Sequence, residues 1–417
     1  MKYINIMVIL IIMIISIIAI WIFNIEGVNL LAIFILSISI YTIYKVRKNK
    51  YLLILNVVML YFTYGIVVGE YLVGNKQPTF NDLRNFNNGQ YYTIALVMLF
   101  IFILIYSIIL NKKEYDEKFN IKFKSNNLIY LGLLVLLIYI GVFEINRSVG
   151  DSYKVAVTSV YEYSYILFLF IILYSGNDKI KKIIIYTIAS IFIIQDFYYG
   201  GRVTSIQITL VIVTTLFIDK VNMKNLLIGI FFVVILMSAI SIYRLSYSLQ
   251  NINLSDIIAN LKEDLFVDST AVYAYGSSIT HIAGKDYFSL QECITSMIGF
   301  IVNIFFGSNS KLAKMGNVTK LVYPIYTNIG GGIIFSHFYF WMGWFGVILI
   351  PALISLLINK LFQSKKEIHR LMIIGIIATV PRWYLYTPLI LFRAVIIFIP
   401  IGYMILNKID YMSKEVI

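Results

Sequence analysis

Cysteine occurs once in this chain, at Cys293, and histidine only three times. A single thiol excludes an intramolecular disulfide and any multi-cysteine metal site. The histidines show no paired spacing of the zinc-binding kind, so neither metal nor cofactor is expected. Charge is scarce as well: 13% of residues are Asp, Glu, Lys or Arg, against about a quarter in soluble domains. The chain has no phosphate-cradling glycine loop and no dinucleotide fingerprint. It also has no internal repeat, Gly/Ser linker or low-complexity tail, so residues 1–417 read as a single domain.

What fills the chain is apolar sequence. Sixty per cent of its residues are hydrophobic, and the mean hydropathy is +0.85. Apolar blocks of about 18 residues or more recur, each long enough to cross a hydrocarbon core of ~30 Å. They do not alternate apolar with polar, which excludes a β-barrel. The expected fold class is an all-α polytopic integral membrane protein. Its spans run from about Tyr3 to Phe23, Val28 to Tyr44, Tyr51 to Val73, Tyr91 to Leu110, Leu128 to Glu144 and Tyr161 to Tyr174. A seventh runs to Gln195 and meets the turn Asp196 to Arg202, an eighth ends at Asp219-Lys220, and then come Leu226 to Tyr243, Ile333 to Ile358, Leu371 to Thr379 and Ile390 to Leu406. The first is read as retained, because no Ala-x-Ala cleavage site follows it.

The net charge of +13 would suggest a nucleic-acid partner in a soluble protein. Here the lysines gather in alternate short loops, such as Lys45 to Lys50, Lys112 to Lys124, Lys179 to Lys182 and Lys360 to Lys366. That is the orientation signal of a membrane protein, and no nucleic acid is expected. About twelve crossings with both termini cytoplasmic put every strongly basic loop inside. One long polar interval, 245–332, is then external. Within it the apolar run 293–306 is too short for a full crossing and reads as re-entrant or interfacial.

Arginine runs against the lysine pattern and gathers on the outer side. Arg147 lies in an outer loop, and Arg202, Arg244, Arg382 and Arg393 each stand within a turn or two of an outer span end. A guanidinium binds phosphate in a planar, bidentate way and stays charged when partly desolvated. Such a group can line an anion cavity at the outer leaflet, or merely snorkel to headgroups. Arg393, inside an apolar run, needs a partner or a watery cavity. Gly200-Gly201-Arg202 and Gly330-Gly331-Gly332 are turns where backbone can approach a ligand, or turns only. His337 has a ring whose ordinary pKa suits general-base work if it faces the cavity, or a bond to a neighbouring helix if it does not. His281, in the loop, reads equally as a substrate contact or as a solvated histidine. Asp196 is among the candidate proton acceptors. Trp383, Tyr384 and Tyr386 read first as interfacial anchors.

The approach to the tenth span reads Gly330-Gly331-Gly332, His337-Phe338-Tyr339 and Gly343-Trp344-Phe345-Gly346. With the whole-chain layout, this resembles the Wzy-type polymerases of bacterial O-antigen and capsular polysaccharide. His337 stands where many relatives carry a glutamate, and Trp341-Met342 where Asn-Phe is common. The resemblance implies a bundle like that of the C-type glycosyltransferases, in a bacterial cytoplasmic membrane. It implies metal-independent joining of undecaprenyl-pyrophosphate-linked oligosaccharide repeat units at the outer face, with a flippase and chain-length regulators as partners. Arg202, Arg244, Arg382 and Arg393 would bind the diphosphates, with Arg147 and His281 as further substrate contacts. His337 would act as base or orienter. A ligase of O-antigen type would share donor and fold. A flippase or other transporter is expected to show related halves and mid-membrane charges, whereas here polarity gathers in one outer loop.

Overall fold

A computed structural model describes residues 25–72, 89–110, 123–144, 158–199, 201–246, 255, 258, 269–327 and 330–415. The expected first span lies outside these. Among the described residues there is no strand, only one isolated bridge between Ser125 and Ser175. The chain divides by contact into two units, Met1–Tyr115 with Asp264–Lys360 and Arg382–Leu389, and Asp116–Glu263 with Leu361–Pro381 and Ile390–Ile417.

The first unit begins with α1 (Ile25–Val46), α2 (Lys50–Val67, extended by a π-helical turn over Val68–Leu72) and α3 (Gly89–Ile109). Their apolar residues supply the packing, and short hydroxyls return their protons to the preceding turn. Ser39 donates to Ile35 O (2.8 Å) and Thr63 to Met59 O (2.8 Å). This lets polar side chains stay within apolar helices without an unmet hydrogen bond. Asn49 caps α2 by accepting from Leu52 N–H at 3.0 Å. Lys45 Nζ reaches Ser107 O (2.6 Å) and Asn359 Nδ2 reaches Ile109 O (2.9 Å), tying the same end of three helices together.

The interval read as a long external loop is largely helical from Ser269 onward. It forms α9 (Ser269–Gly284), α10 (Leu290–Phe306), α11 (Lys311–Met315) and α12 (Val318–Val322). Helix α10 starts at a reciprocal capping box between Ser289 and Glu292. It buries Cys293, Ser296, Gly299, Phe300 and Asn303 on one face. The other face leaves Leu290, Ile294, Ile298, Ile301 and Phe305 exposed. The expected tenth span is two helices, α13 (Ile334–Met342) and α14 (Trp344–Gln363). Gly343 separates them at φ +64°, a left-handed backbone that glycine adopts without penalty. Trp383 and Tyr384, expected as interfacial anchors, are instead fully buried. They lie on α16 (Val380–Leu385), where Thr63 meets the Tyr384 hydroxyl at 2.9 Å.

The second unit holds α4 (Asn127–Phe143), α5 (Ser164–Tyr174), α6 (Lys179–Tyr198), α7 (Val203–Leu216) and α8 (Met223–Ser246). It also contains α15 (Glu367–Ala378) and α17 (Ile399–Glu415), the latter entered through a π-helical turn over Leu391–Phe398. At one end Lys124 pairs with Glu367 (3.0 Å) and Asn126 Nδ2 donates to Asp410 (2.7 Å). Along α4, Leu128, Leu131, Val135, Ile138 and Val142 stand 50–65% exposed. An apolar stripe of that extent is stable against lipid rather than water. Among the described residues six helices are long and apolar enough to cross a membrane. The described residues form no strand, and these helices are those of a multi-pass membrane protein.

Candidate functional site

The glycine run is a built element of the first unit. Gly330, Gly331 and Gly332 have φ of 96°, 84° and 143°, a succession that L side chains rarely adopt. At Gly331 and Gly332 space forbids them too. A Cβ on Gly331 would lie 2.8 Å from Cδ1 of Tyr386, and one on Gly332 only 2.4 Å from Cε1 of His281. The run is anchored by hydroxyls from two helices: Ser277 donates to Gly330 O (3.0 Å) and Thr319 to Gly331 O (2.7 Å). Ile333 N–H donates to Ser278 Oγ (2.7 Å), and Gly332 N–H to Leu385 O (3.0 Å).

Against this run lie His281 of α9 and His337 of α13, both buried. Their ring centroids are 4.8 Å apart at 64°. His281 is thus not a solvated loop histidine. Its Nδ1 is 3.0 Å from Ser336 Oγ and its Nε2 is 3.1 Å from Thr319 Oγ1. Ser336 Oγ also lies 2.8 Å from Ile333 O, and Thr319 Oγ1 lies 2.7 Å from Gly331 O. Each hydroxyl has one proton. If both gave it to their carbonyls, His281 would need two N–H groups, and a neutral imidazole has one. Burial, reinforced by His337, holds the His281 pKa well below the ordinary histidine value. The neutral ring therefore draws one hydroxyl away from its carbonyl.

His337 Nε2 faces the carbonyl of Tyr386 at 3.2 Å. A carbonyl only accepts, so Nε2 carries the proton. His281 lies in the interval read as external, outside the helices of membrane-crossing length. As arranged, His337 and Gly332 together clamp Leu385 and Tyr386, the end of the helix that carries Arg382. The geometry makes the pair an orienting device for that helix.

The arginines are divided. Arg382 belongs to the first unit with the histidines, whereas Arg202, Arg244 and Arg393 belong to the second. Arg382 and Arg202 are half-buried, and Arg202, Arg382 and Arg393 all engage other groups of the protein. Arg393 lies in the π-helical turn before α17, a geometry enriched at functional positions. Arg244 lies in the last turn of α8. Arg147 and Gly200 fall outside the described residues.

Arg202 stands at the head of α7, beside a group whose role the sequence does not disclose. Asp196 is buried, and its Oδ2 accepts from Ser205 N–H (3.0 Å) and Ser205 Oγ (2.9 Å). Gly201 N–H donates to Asp196 O at 2.7 Å. Asp196 therefore caps α7 from the preceding helix, meeting backbone groups that the helix start leaves unpaired. Among the described residues no group of three or more His, Cys, Asp or Glu is placed to hold a metal.

No protein family, no curated protein and no solved structure matches this chain.

Proposed function

We propose that this protein is a polysaccharide polymerase of a bacterial cytoplasmic membrane. It joins undecaprenyl-pyrophosphate-linked oligosaccharide repeat units at the outer face by glycosyl transfer that uses no metal. The diphosphates fall to the outward arginines, Arg382 in the first unit and Arg202, Arg244 and Arg393 in the second, whose guanidinium groups suit a leaving diphosphate. The observation that carries the reading is the clamp of Gly332 and His337 on the Leu385–Tyr386 backbone. It joins the glycine-histidine motif, on which the family resemblance rests, to the helix of an outward arginine. In this assignment His337 orients, and the acceptor hydroxyl is activated by another group.

Sidedness supports the outer location. Loops assigned inside by their lysines meet one another in each unit: Lys45 with Ser107, and Asn359 with Ile109, in the first. In the second, Lys124 meets Glu367 and Asn126 meets Asp410. Counting α10 alone as a crossing would put Asn359 on the side opposite Ile109. This favours about twelve crossings, both termini inside and α10 on the outer side.

The test is purified protein with the host's undecaprenyl-pyrophosphate repeat unit, products sized by gel. A ladder of longer lipid-linked glycans, abolished in Arg382→Ala and Arg202→Ala, is expected. No ladder, with the same lipid moved between liposome leaflets, would make the protein a transporter and overturn the reading.

A further inference from the structure

Between α9 and α10 the chain makes one 3-10 turn, Lys285–Tyr287, whose attitude is fixed from both ends. Before it, Gly284 packs so closely on Val322 that a Cβ would lie 2.7 Å from Cγ1. After it, Phe288 is held edge-on against Phe340 with centroids 5.2 Å apart. Lys285 turns away from solvent: its Nζ donates to Tyr339 O at 2.9 Å and sits 4.5 Å over the Tyr339 ring. A side chain on Gly343 would come within 3.3 Å of that ammonium, so the glycine gives it room.

With Lys285 turned in, Asp286 and Tyr287 remain exposed. One Asp286 oxygen accepts the Tyr91 hydroxyl at 2.8 Å, leaving most of the carboxylate's accepting capacity unused. Tyr287 is 64% exposed and is braced edge-on by Tyr326, with centroids 5.8 Å apart and hydroxyls at 3.2 Å. Trp344 is 44% exposed and is braced edge-on at 5.7 Å by Tyr339, the residue that holds Lys285. The result is two braced, exposed aromatic rings, one in the turn beside a fixed carboxylate and one joined to that turn through Lys285 and Tyr339.

An aromatic belt at the bilayer surface accounts for rings but gives no reason to fix an anion among them. A pyranose does. Its C–H face packs on an aromatic ring, and its equatorial hydroxyls donate to a carboxylate. Two separate braced rings suit more than one sugar of an extended chain.

We propose that Asp286, Tyr287 and Trp344 form a glycan-binding subsite that takes pyranose units of the polysaccharide; this rests on the polymerase reading for its substrate class. Asp286 accepts sugar hydroxyls, and Tyr287 and Trp344 stack on successive rings. The subsite holds the chain and takes no part in the bond change.

The test uses the full-length protein in nanodiscs and an array of defined water-soluble bacterial oligosaccharides without lipid. At least one glycan is expected to bind, with Tyr287→Ala and Asp286→Asn each weakening it by about tenfold or more. Tyr287→Phe keeps the ring and most of the binding, and Tyr411→Ala, an exposed tyrosine of the other unit, changes nothing. Matching melting curves for all variants exclude misfolding. No binding by the wild type, or equal binding by Tyr287→Ala and Asp286→Asn, overturns the subsite even if repeat units are polymerised. Binding lost in those variants, with no polymerisation of the lipid-linked unit, upholds the subsite and overturns the polymerase reading.

Discussion

His281 and His337 come from helices more than fifty residues apart and meet ring to ring at 4.8 Å, with Gly332 filling the space beside both. Neither ring carries an acidic partner: the hydrogen bonds go to hydroxyls and a backbone carbonyl. A second proton on either imidazole would therefore place an unpaired charge in a buried site. The pair holds together because both rings are neutral, and its packing depends on the absence of a side chain at Gly332.

That dependence grades the three glycines. Gly330→Ala meets open space and adds only left-handed strain, about 1–2 kcal/mol. Gly331→Ala adds contact with Tyr386. Gly332→Ala drives a methyl into His281 and should cost several kcal/mol, roughly 3–5, because overpacking adds to strain. Thermal unfolding in detergent should rank the variants in that order. Equal shifts at 330 and 332 would show that the histidines do not line the run as described.

His281 also sets a pH dependence. Burial and the neighbouring His337 hold its folded pKa well below the ordinary value of about 6.5. The unfolded chain therefore binds a proton there that the folded chain does not. This stabilisation is complete above about pH 6.5 and is lost as the pH falls through the folded value. The melting temperature should drop as the pH falls below about 6.5, and His281→Gln should flatten the drop. Parallel curves for wild type and variant would refute the buried neutral ring.

How much of this the sequence discloses depends on the residue. Apolar runs mark the helices, because lipid requires both a minimum length and internal hydrogen bonding. Gly343 is visible as part of a motif but not as a helix break, since the apolar run passes through it without interruption. His337 stands out in that run. His281 does not, because Ser277, Ser278 and Thr280 around it resemble a solvated loop. The Ser277 and Ser278 hydroxyls are in fact buried partners of Gly330 and of Ile333 after the run, while Thr280 bonds back to Ser277 O. Trp383 and Tyr384 follow a span end and look interfacial, and the groups that bury Tyr384, among them Thr63 and Phe102, are distant in sequence. Which arginines share a unit depends on long-range packing that no local pattern encodes.

The joint between α10 and α13 combines a ring contact, Phe300 on Trp341 at 4.5 Å, with one shared hydroxyl. Trp341 Nε1 donates to Ser296 Oγ at 3.0 Å, and Ser296 Oγ donates to Met315 O at 2.8 Å. Ser296→Ala leaves a buried indole N–H and a carbonyl without their partner, a loss of about 1–3 kcal/mol. Ser296→Thr keeps the hydroxyl and should lose less, apart from crowding by the added methyl. Chemical unfolding of the two variants measures the difference, and a neutral Ser296→Ala would mean that the joint is packing alone.

The exposed face of α10 decides whether that helix lies along the membrane or enters it. Leu290, Ile294, Ile298, Ile301 and Phe305 form a continuous apolar stripe, while the opposite face packs against Leu312 and Gly316 so tightly that a Cβ on Gly299 would meet Leu312 O at 2.3 Å. A helix with one apolar stripe toward lipid and one face on protein is suited to the interface plane. Nitroxides at Leu290→Cys, Ile298→Cys and Phe305→Cys, in a Cys293→Ser background, should report a common depth by oxygen and nickel accessibility. A helix entering the bilayer along its axis would instead spread the first and last labels over about 22 Å, fifteen residues at 1.5 Å each. A gradient approaching that value would make α10 re-entrant. It would also bring the Lys311–Lys314 segment that follows it toward the hydrocarbon, where lysines so placed would need partners of their own.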